Sequence, residues 1–299
     1  MATKKPKPTP DQTAVQLGAL LGQSFSNYND FYNSNTLQQG RFLGQLIKKI
    51  HPDLQAKLTA AENALNGQGY VSQPGSIYKI GGGDPLSGGH RWGLAVDINY
   101  DSNPYIMHES GEAELDAQLF GVYERIVWLI TGVTYGSVIP TKITQGVPAG
   151  FSSVTDAYTQ LMQESQDMVQ YFALMDNDAN LAALCQQRTA NATDWKSRIQ
   201  SDYVTLGGTL PGVTAPSIPA GQDRPFVLKG GASAAKRDPK KGFLDIPQPV
   251  VEALTAQGLI WGAIGFGPES GDVMHFDLRS GTFYTQVQQA WNNAQAALG

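Results

Sequence analysis

His90-Arg91-Trp92-Gly93-Leu94-Ala95-Val96-Asp97-Ile98 is the stretch on which the reading of this chain turns. Leu94 to Ile98 reads as a strand. Alternation puts Ala95 and Asp97 on one face and Leu94, Val96 and Ile98 on the other. His90 lies just before that strand, and Gly93 lets the backbone between them turn tightly. Small Ala95 leaves room on the Asp97 face. A second stretch, Asp272-Val273-Met274-His275-Phe276-Asp277, lies near the other end, and Met274 to Leu278 reads as another strand. The chain has four histidines, His51, His90, His108 and His275, and two of them fall in these stretches.

The residue types suit a metal. A catalytic zinc takes three protein ligands from His, Asp or Glu and keeps a fourth position for water. If the two strands are neighbours, His90, Asp97 and His275 converge as ligands. Asp272, three residues before His275, then reaches the metal's water. Zinc lowers the pKa of such a water toward neutrality, and a carboxylate can take its proton and return it to a leaving amine. Spacing alone leaves a plainer alternative open, with His90 a loop residue and Asp97 a turn or cap residue. Glu269, in a Gly/Pro/Ser loop, is a rival for the base. Asp277 shares a strand face with His275 and is a candidate to orient a ligand.

The pattern H-x-x-G-x-A-x-D, followed downstream by D-x-x-H-F-D, resembles the D-alanyl-D-alanine carboxypeptidase and L-alanyl-D-glutamate endopeptidase family of zinc enzymes. That family includes VanX/VanY-type peptidases and phage endolysins, and it shares its core fold with the hedgehog signalling domain. Trp261-Gly262-Ala263 resembles the family's Trp-Gly-Gly turn. Ile50-His51-Pro52 leading a helix, with Gly69-Tyr70-Val71-Ser72 after it, resembles its helix and G-x-R-S segment. The resemblance covers residues 50–131 and 243–299. It implies His90, Asp97 and His275 as zinc ligands and Asp272 as general base. Many relatives carry Glu at that last place, and the Asp here is similar to the endolysin-like branch. The implied activity is cleavage of peptide bonds in peptidoglycan stem peptides.

Two departures stand out. Val71 takes the place of an Arg that, in the family, would bind substrate or stabilise the developing oxyanion, a large catalytic effect. Lys79 and Arg91 are candidates to replace it. The family's Ser two residues before the first ligand is here Gly88, with Ser87 one residue further away. Lys79, Ser87, Arg91, His108 and Trp261 are therefore the candidate substrate contacts. Trp92, Trp261 and Phe266 are candidate cleft walls, although Trp more often packs in a core or at its boundary. His108 reads more readily as a structural residue than as part of a cleft, and His51 as the start of a helix beside Pro52.

The expected fold class is α+β. A small, mainly antiparallel sheet carries the zinc site, helices flank it, and a helical insertion extends it. Residues 1–49 form an N-terminal tail and helical segment, 50–131 with 243–299 the peptidase core, and 132–242 the insertion. Within this frame, residues 1–12 read as a flexible tail, and 13–24 and 39–50 as helices. A helix runs from Pro52 to about Leu65, and residues 68–92 are loop. Leu115, Leu119, Val122, Ile126 and Leu129 mark an amphipathic helix over 111–131. Residues 132–150 are loop. Residues 151–203 read as a helical hairpin broken near Asp176-Asn177-Asp178, and 206–242 as a surface excursion. Pro249 to Gln257 is a short helix leading to a strand at 258–262, and 283–297 close the chain as a helix.

Composition narrows the field. At 299 residues with 41% hydrophobic content the chain can bury a substantial core. Net charge is -5 with no basic stripe, which argues against a nucleic-acid partner. A single cysteine, Cys185, excludes an intrachain disulfide and sits in an apolar helical pattern, so it reads as core. No apolar run is long enough to cross a membrane. The start, MATKKPKPTPDQ, is basic with no apolar run behind it, and so is not read as a secretory signal. The expectation is synthesis in the cytoplasm and action on the cell wall after lysis or injection, as a lysin or delivered effector. A delivery apparatus or immunity protein would be its partner. The rival functions are a D,D-carboxypeptidase or dipeptidase, and a zinc-bearing binding module without catalysis.

Overall fold

The computed structural model describes residues 6–72, 80–81, 88–100, 102–104, 113–133, 151–188, 194–214, 238–266 and 271–298. The fold is α+β, with small antiparallel sheets among a majority of helices. Two compact units divide the chain. The first comprises Met1–Ile98, Glu252–Ile260 and Phe276–Gly299; the second comprises Asn99–Val251 and Trp261–His275.

The first unit opens with α1 (Pro10–Leu21). Thr9 and Gln12 form a reciprocal capping box: the Gln12 N–H donates to Thr9 Oγ1, and the Thr9 N–H donates to Gln12 Oε1. The expected tail over residues 1–12 is corrected here. Thr9-Pro10-Asp11-Gln12 is a helix start signal, and residues 10–12 are its first turn, while residues 1–5 lie outside the described residues. Helix α1 packs along α10 (Thr282–Ala297), which buries Phe283, Val287, Ala290 and Ala294. Next comes α2 (Tyr28–Asn35), capped by Asn27. Its Phe31 ring lies 5.1 Å from Trp92 and 5.9 Å, stacked, from Phe283. This aromatic cluster is the centre of the unit's core.

Residues 39–50 are not a helix. They form a hairpin of β1 (Gly40–Phe42) and β2 (Gln45–Ile47), antiparallel, with Phe42 opposite Gln45. Leu43 and Gly44 both have positive φ, 48° and 76°, as a two-residue primed turn requires. Phe42, Leu43, Leu46, Ile47 and Ile50 also fit a helical period, which is why the pattern misleads. The amide of Gln55, on α3 (Pro52–Gly67), bonds both the N–H and the C=O of Arg41 and so holds the hairpin's edge. Pro52 occupies the first turn of α3, as the sequence indicates, and His51 caps it through Nδ1.

A four-stranded sheet runs in the order β3 (Ile80–Gly81), β4 (Ala95–Ile98), β6 (His275–Asp277), β5 (Ile260–Trp261). Strand β3 pairs antiparallel with β4, setting Gly81 opposite Asp97. It falls in a stretch read as loop, where two residues are too few to show any period. Ala95, Val96 and Ile98 are buried, and Asp97 is half-buried. The Leu278 N–H donates to the Leu94 carbonyl at 2.8 Å.

The second unit is mainly helical: α5 (Ala113–Thr131), α6 (Val154–Ala173), α7 (Asp178–Gln187) and α8 (Trp195–Thr205). Val122, Ile126 and Leu129 are buried on α5 as expected, while the side chains of Leu115 and Leu119 lie outside those described. The predicted break occurs: Leu174–Asp176 tightens into a 3-10 turn, and Asn177 caps α7 by accepting from the Asn180 N–H. Among the described residues the region holds three helices, where a hairpin was expected. Asp202, on α8, ties α5 and α6 to it, accepting from Arg125 Nε at 2.8 Å and from the Tyr171 hydroxyl. Cys185 is buried, as read, and burial pushes its thiol pKa up. Residues 243–246 are strapped to α6. Ser165 Oγ accepts from the Phe243 and Leu244 N–H groups, and the Tyr158 hydroxyl donates to the Ile246 carbonyl at 2.7 Å. Helix α9 (Gln248–Ala256) follows directly. Most of the expected loop at 132–150 and most of the excursion at 206–242 lie outside the described residues.

Candidate metal centre

His90 is carried on α4 (Gly88–Arg91), a single helical turn. That turn ends at Gly93, whose φ is +69°. The Gly93 N–H donates to the His90 carbonyl and the Leu94 N–H to the Gly89 carbonyl, so the helix folds straight into β4. A side chain is excluded at Gly93, because a Cβ would lie 2.7 Å from the His51 backbone nitrogen. The His51 N–H in turn donates to the Gly93 carbonyl at 2.8 Å. This closed turn sets His90 against the strand it precedes. His90 Nε2 lies 3.0 Å from Asp97 Oδ1.

The segment before His275 is shaped by Trp261 and Gly262. The Trp261 indole N–H donates to the Val273 carbonyl at 2.9 Å. The Gly262 N–H donates to the His275 carbonyl at 2.8 Å, and the N–H groups of Gly271 and Asp272 return to the Gly262 carbonyl. A Cβ on Gly262 would sit 2.7 Å from the Asp272 carbonyl oxygen, so this approach needs glycine. Phe266 meets the His275 ring edge-on at 5.2 Å. His275 is the last residue of the second unit, and Phe276 and Asp277 continue the strand in the first.

One ligand atom from each of His90, Asp97 and His275 lies within 4.8 Å of the others. Both imidazoles are buried and the carboxylate is half-buried. Two ring nitrogens and a carboxylate oxygen, gathered this closely, can hold a metal ion, and such a donor set suits a divalent transition ion. Asp272 stands beside the group. Its Oδ2 is 3.9 Å from His275 Nδ1, too long for a hydrogen bond, and its side chain keeps 21% of its exposure. Asp277 is 1% exposed, and Arg279 Nε donates to its Oδ2 at 2.9 Å.

The remaining candidates divide. Lys79, Ser87, His108 and the rival base Glu269 lie outside the described residues. Arg91 is half-buried, and its carbonyl accepts from the Tyr28 hydroxyl. Trp261 is 1% exposed and supports the 271–275 segment from beneath. Trp92 is packed in the aromatic cluster with Tyr28 and Phe31. Val71 is 74% exposed. His51 stacks on Phe283 with ring centroids 3.7 Å apart; burial lowers its pKa, partly offset by Asp53. Sequence reasoning missed Arg279. It lies two residues past Asp277, just beyond the end of β6, and no pattern in the sequence marks it.

Comparison with protein families, with curated proteins and with solved structures gives no match for this chain.

Proposed function

We propose that the chain is a zinc-dependent peptidase acting on peptidoglycan stem peptides. The observation that carries the proposal is the His90, Asp97 and His275 donor cluster with the Asp272 carboxylate beside it. The resemblance of H-x-x-G-x-A-x-D and D-x-x-H-F-D to the cell-wall carboxypeptidase and endopeptidase family supplies the substrate class. Both imidazoles would bind through unprotonated ring nitrogens, and Asp97 through a carboxylate oxygen. When bound, zinc supplies a water of lowered pKa and a Lewis acid for the scissile carbonyl. Asp272 takes the proton from the attacking water on a carboxylate oxygen and delivers it to the leaving amine nitrogen. Its partial exposure suits that task, since a substrate must reach it. The closed turns at Gly93 and Gly262 hold these groups in place before substrate arrives, which lowers the cost of ordering them.

A metal-bearing binding module is the second reading, and Val71 favours it, because the family's Arg is missing there. Asp272 argues for catalysis, since a purely structural metal site has no need of a base. The test is to incubate the zinc-supplied protein with sacculi of different stem-peptide chemistry and identify the products by mass spectrometry. Defined fragments from the native protein, absent with Asp272→Ala, are expected, and their masses name the bond. Intact sacculi from a zinc-loaded protein would sink the peptidase reading in favour of the binding module.

A further inference from the structure

A cleft of about 490 Å³ opens wholly within the first unit, between the α4–β4 turn and helix α10. Its size is that of a ligand site. The lining is mixed. Trp291, 41% exposed, presents an aromatic surface at one side, and Tyr284 adds a second ring. Gln288 and Asn292 bring planar amides from the same helix face, at helical spacing from Tyr284. Among the described residues, Asp277 and Arg279 form the polar wall, and they neutralise each other as an ion pair.

We infer that this cleft binds a neutral sugar ring of a glycan chain. A pyranose has one face of C–H groups and a rim of hydroxyls. The C–H face matches an exposed indole, and the rim matches amides and an internally neutralised ion pair. A phosphate or a carboxylate-rich ligand would meet no uncompensated cation among the described residues of this wall. A wholly apolar side chain would displace water from the amides and the ion pair and return no hydrogen bond in its place, which is costly on burial. The cleft shares Gly89 with the turn that carries His90, and Asp277 lies two residues past His275 on one strand. A glycan held here would bring an attached peptide to the metal residues. The choice of an N-acetylated sugar rests on the cell-wall reading of that site; the preference for a neutral pyranose does not.

The experiment is calorimetric titration of the full chain with tri-N-acetylchitotriose, which carries no peptide bond for the enzyme to cut and no charge. Saturable binding is expected, weakened at least about tenfold by Trp291→Ala and within about threefold of native for Trp291→Phe, which keeps a ring. Asp272→Ala should bind as the native chain does, so loss of hydrolysis and loss of sugar binding are read separately. Circular dichroism of Trp291→Ala confirms that a weakened response is not unfolding. Absence of binding, binding indifferent to Trp291→Ala, or saturable binding of an apolar dipeptide in place of the sugar would each overturn the inference.

Discussion

Gly93 and His51 meet backbone to backbone. Gly93→Ala forces a side chain into a left-handed conformation and against the His51 nitrogen. It is expected to cost about 1–3 kcal/mol, read as a lowered denaturation midpoint. His51 sets a pH dependence. Burial holds its folded-state pKa below the usual histidine value, so the unfolded chain binds a proton more readily. Its contribution to stability is complete above the ordinary value near 6.5 and is lost as pH falls through the folded-state value. Thermal midpoints at pH 7.5 and 5.5 should therefore fall further for the native protein than for His51→Asn, which keeps a helix cap. Equal falls in the two proteins would refute this assignment.

At the scale of elements, the Trp261-Gly262 turn is what shapes the Asp272–His275 segment. Trp261→Phe removes the donor to the Val273 carbonyl and is expected to cost about 1–3 kcal/mol. It should also weaken metal retention, because His275 hangs from the same turn. Unchanged retention in a folded Trp261→Phe protein would contradict that link. Much at this scale was legible beforehand. The strands at Leu94–Ile98 and Met274–Leu278, the Pro52 helix start and the break near Asn177 all follow from alternation, capping and turn residues. The hairpin at residues 40–47 was not legible, since its apolar spacing satisfies a helical period and the positive φ of Leu43 has no residue signal. Nor was the start of α1, where Thr9 and Gln12 cap a helix inside a Lys/Pro-rich stretch. The grouping of His90, Asp97 and His275 was anticipated through the resemblance of its two motifs to a zinc-enzyme family, since spacing alone left a loop residue and a cap residue open. Arg279 was not, because its meaning depends on the burial of Asp277.

Across the whole molecule, long-range polar ties complement the apolar cores. In the second unit Asp202 joins α5, α6 and α8 through Arg125 and Tyr171. Asp202→Ala strands a partly exposed guanidinium and a buried hydroxyl, and should cost about 3 kcal/mol by urea denaturation. A change below about 0.5 kcal/mol would mean the network carries no stability. In the same unit Asn99, Ser102 and Asn103, just past β4, are latched to Asp245 by side-chain hydrogen bonds. The residues that follow Asp97 are thus held by a segment from far along the chain, an arrangement no local pattern could reveal. The central claim is that His90 and Asp97, from one motif, and His275, from far along the chain, make one metal site. Its most direct test is zinc content after dialysis, by mass spectrometry, for the native protein beside Asp97→Ala and His275→Ala. The account predicts one zinc per native chain and a loss of at least about tenfold in affinity for each variant. A native chain that retains no zinc, or variants that retain it equally well, would contradict it.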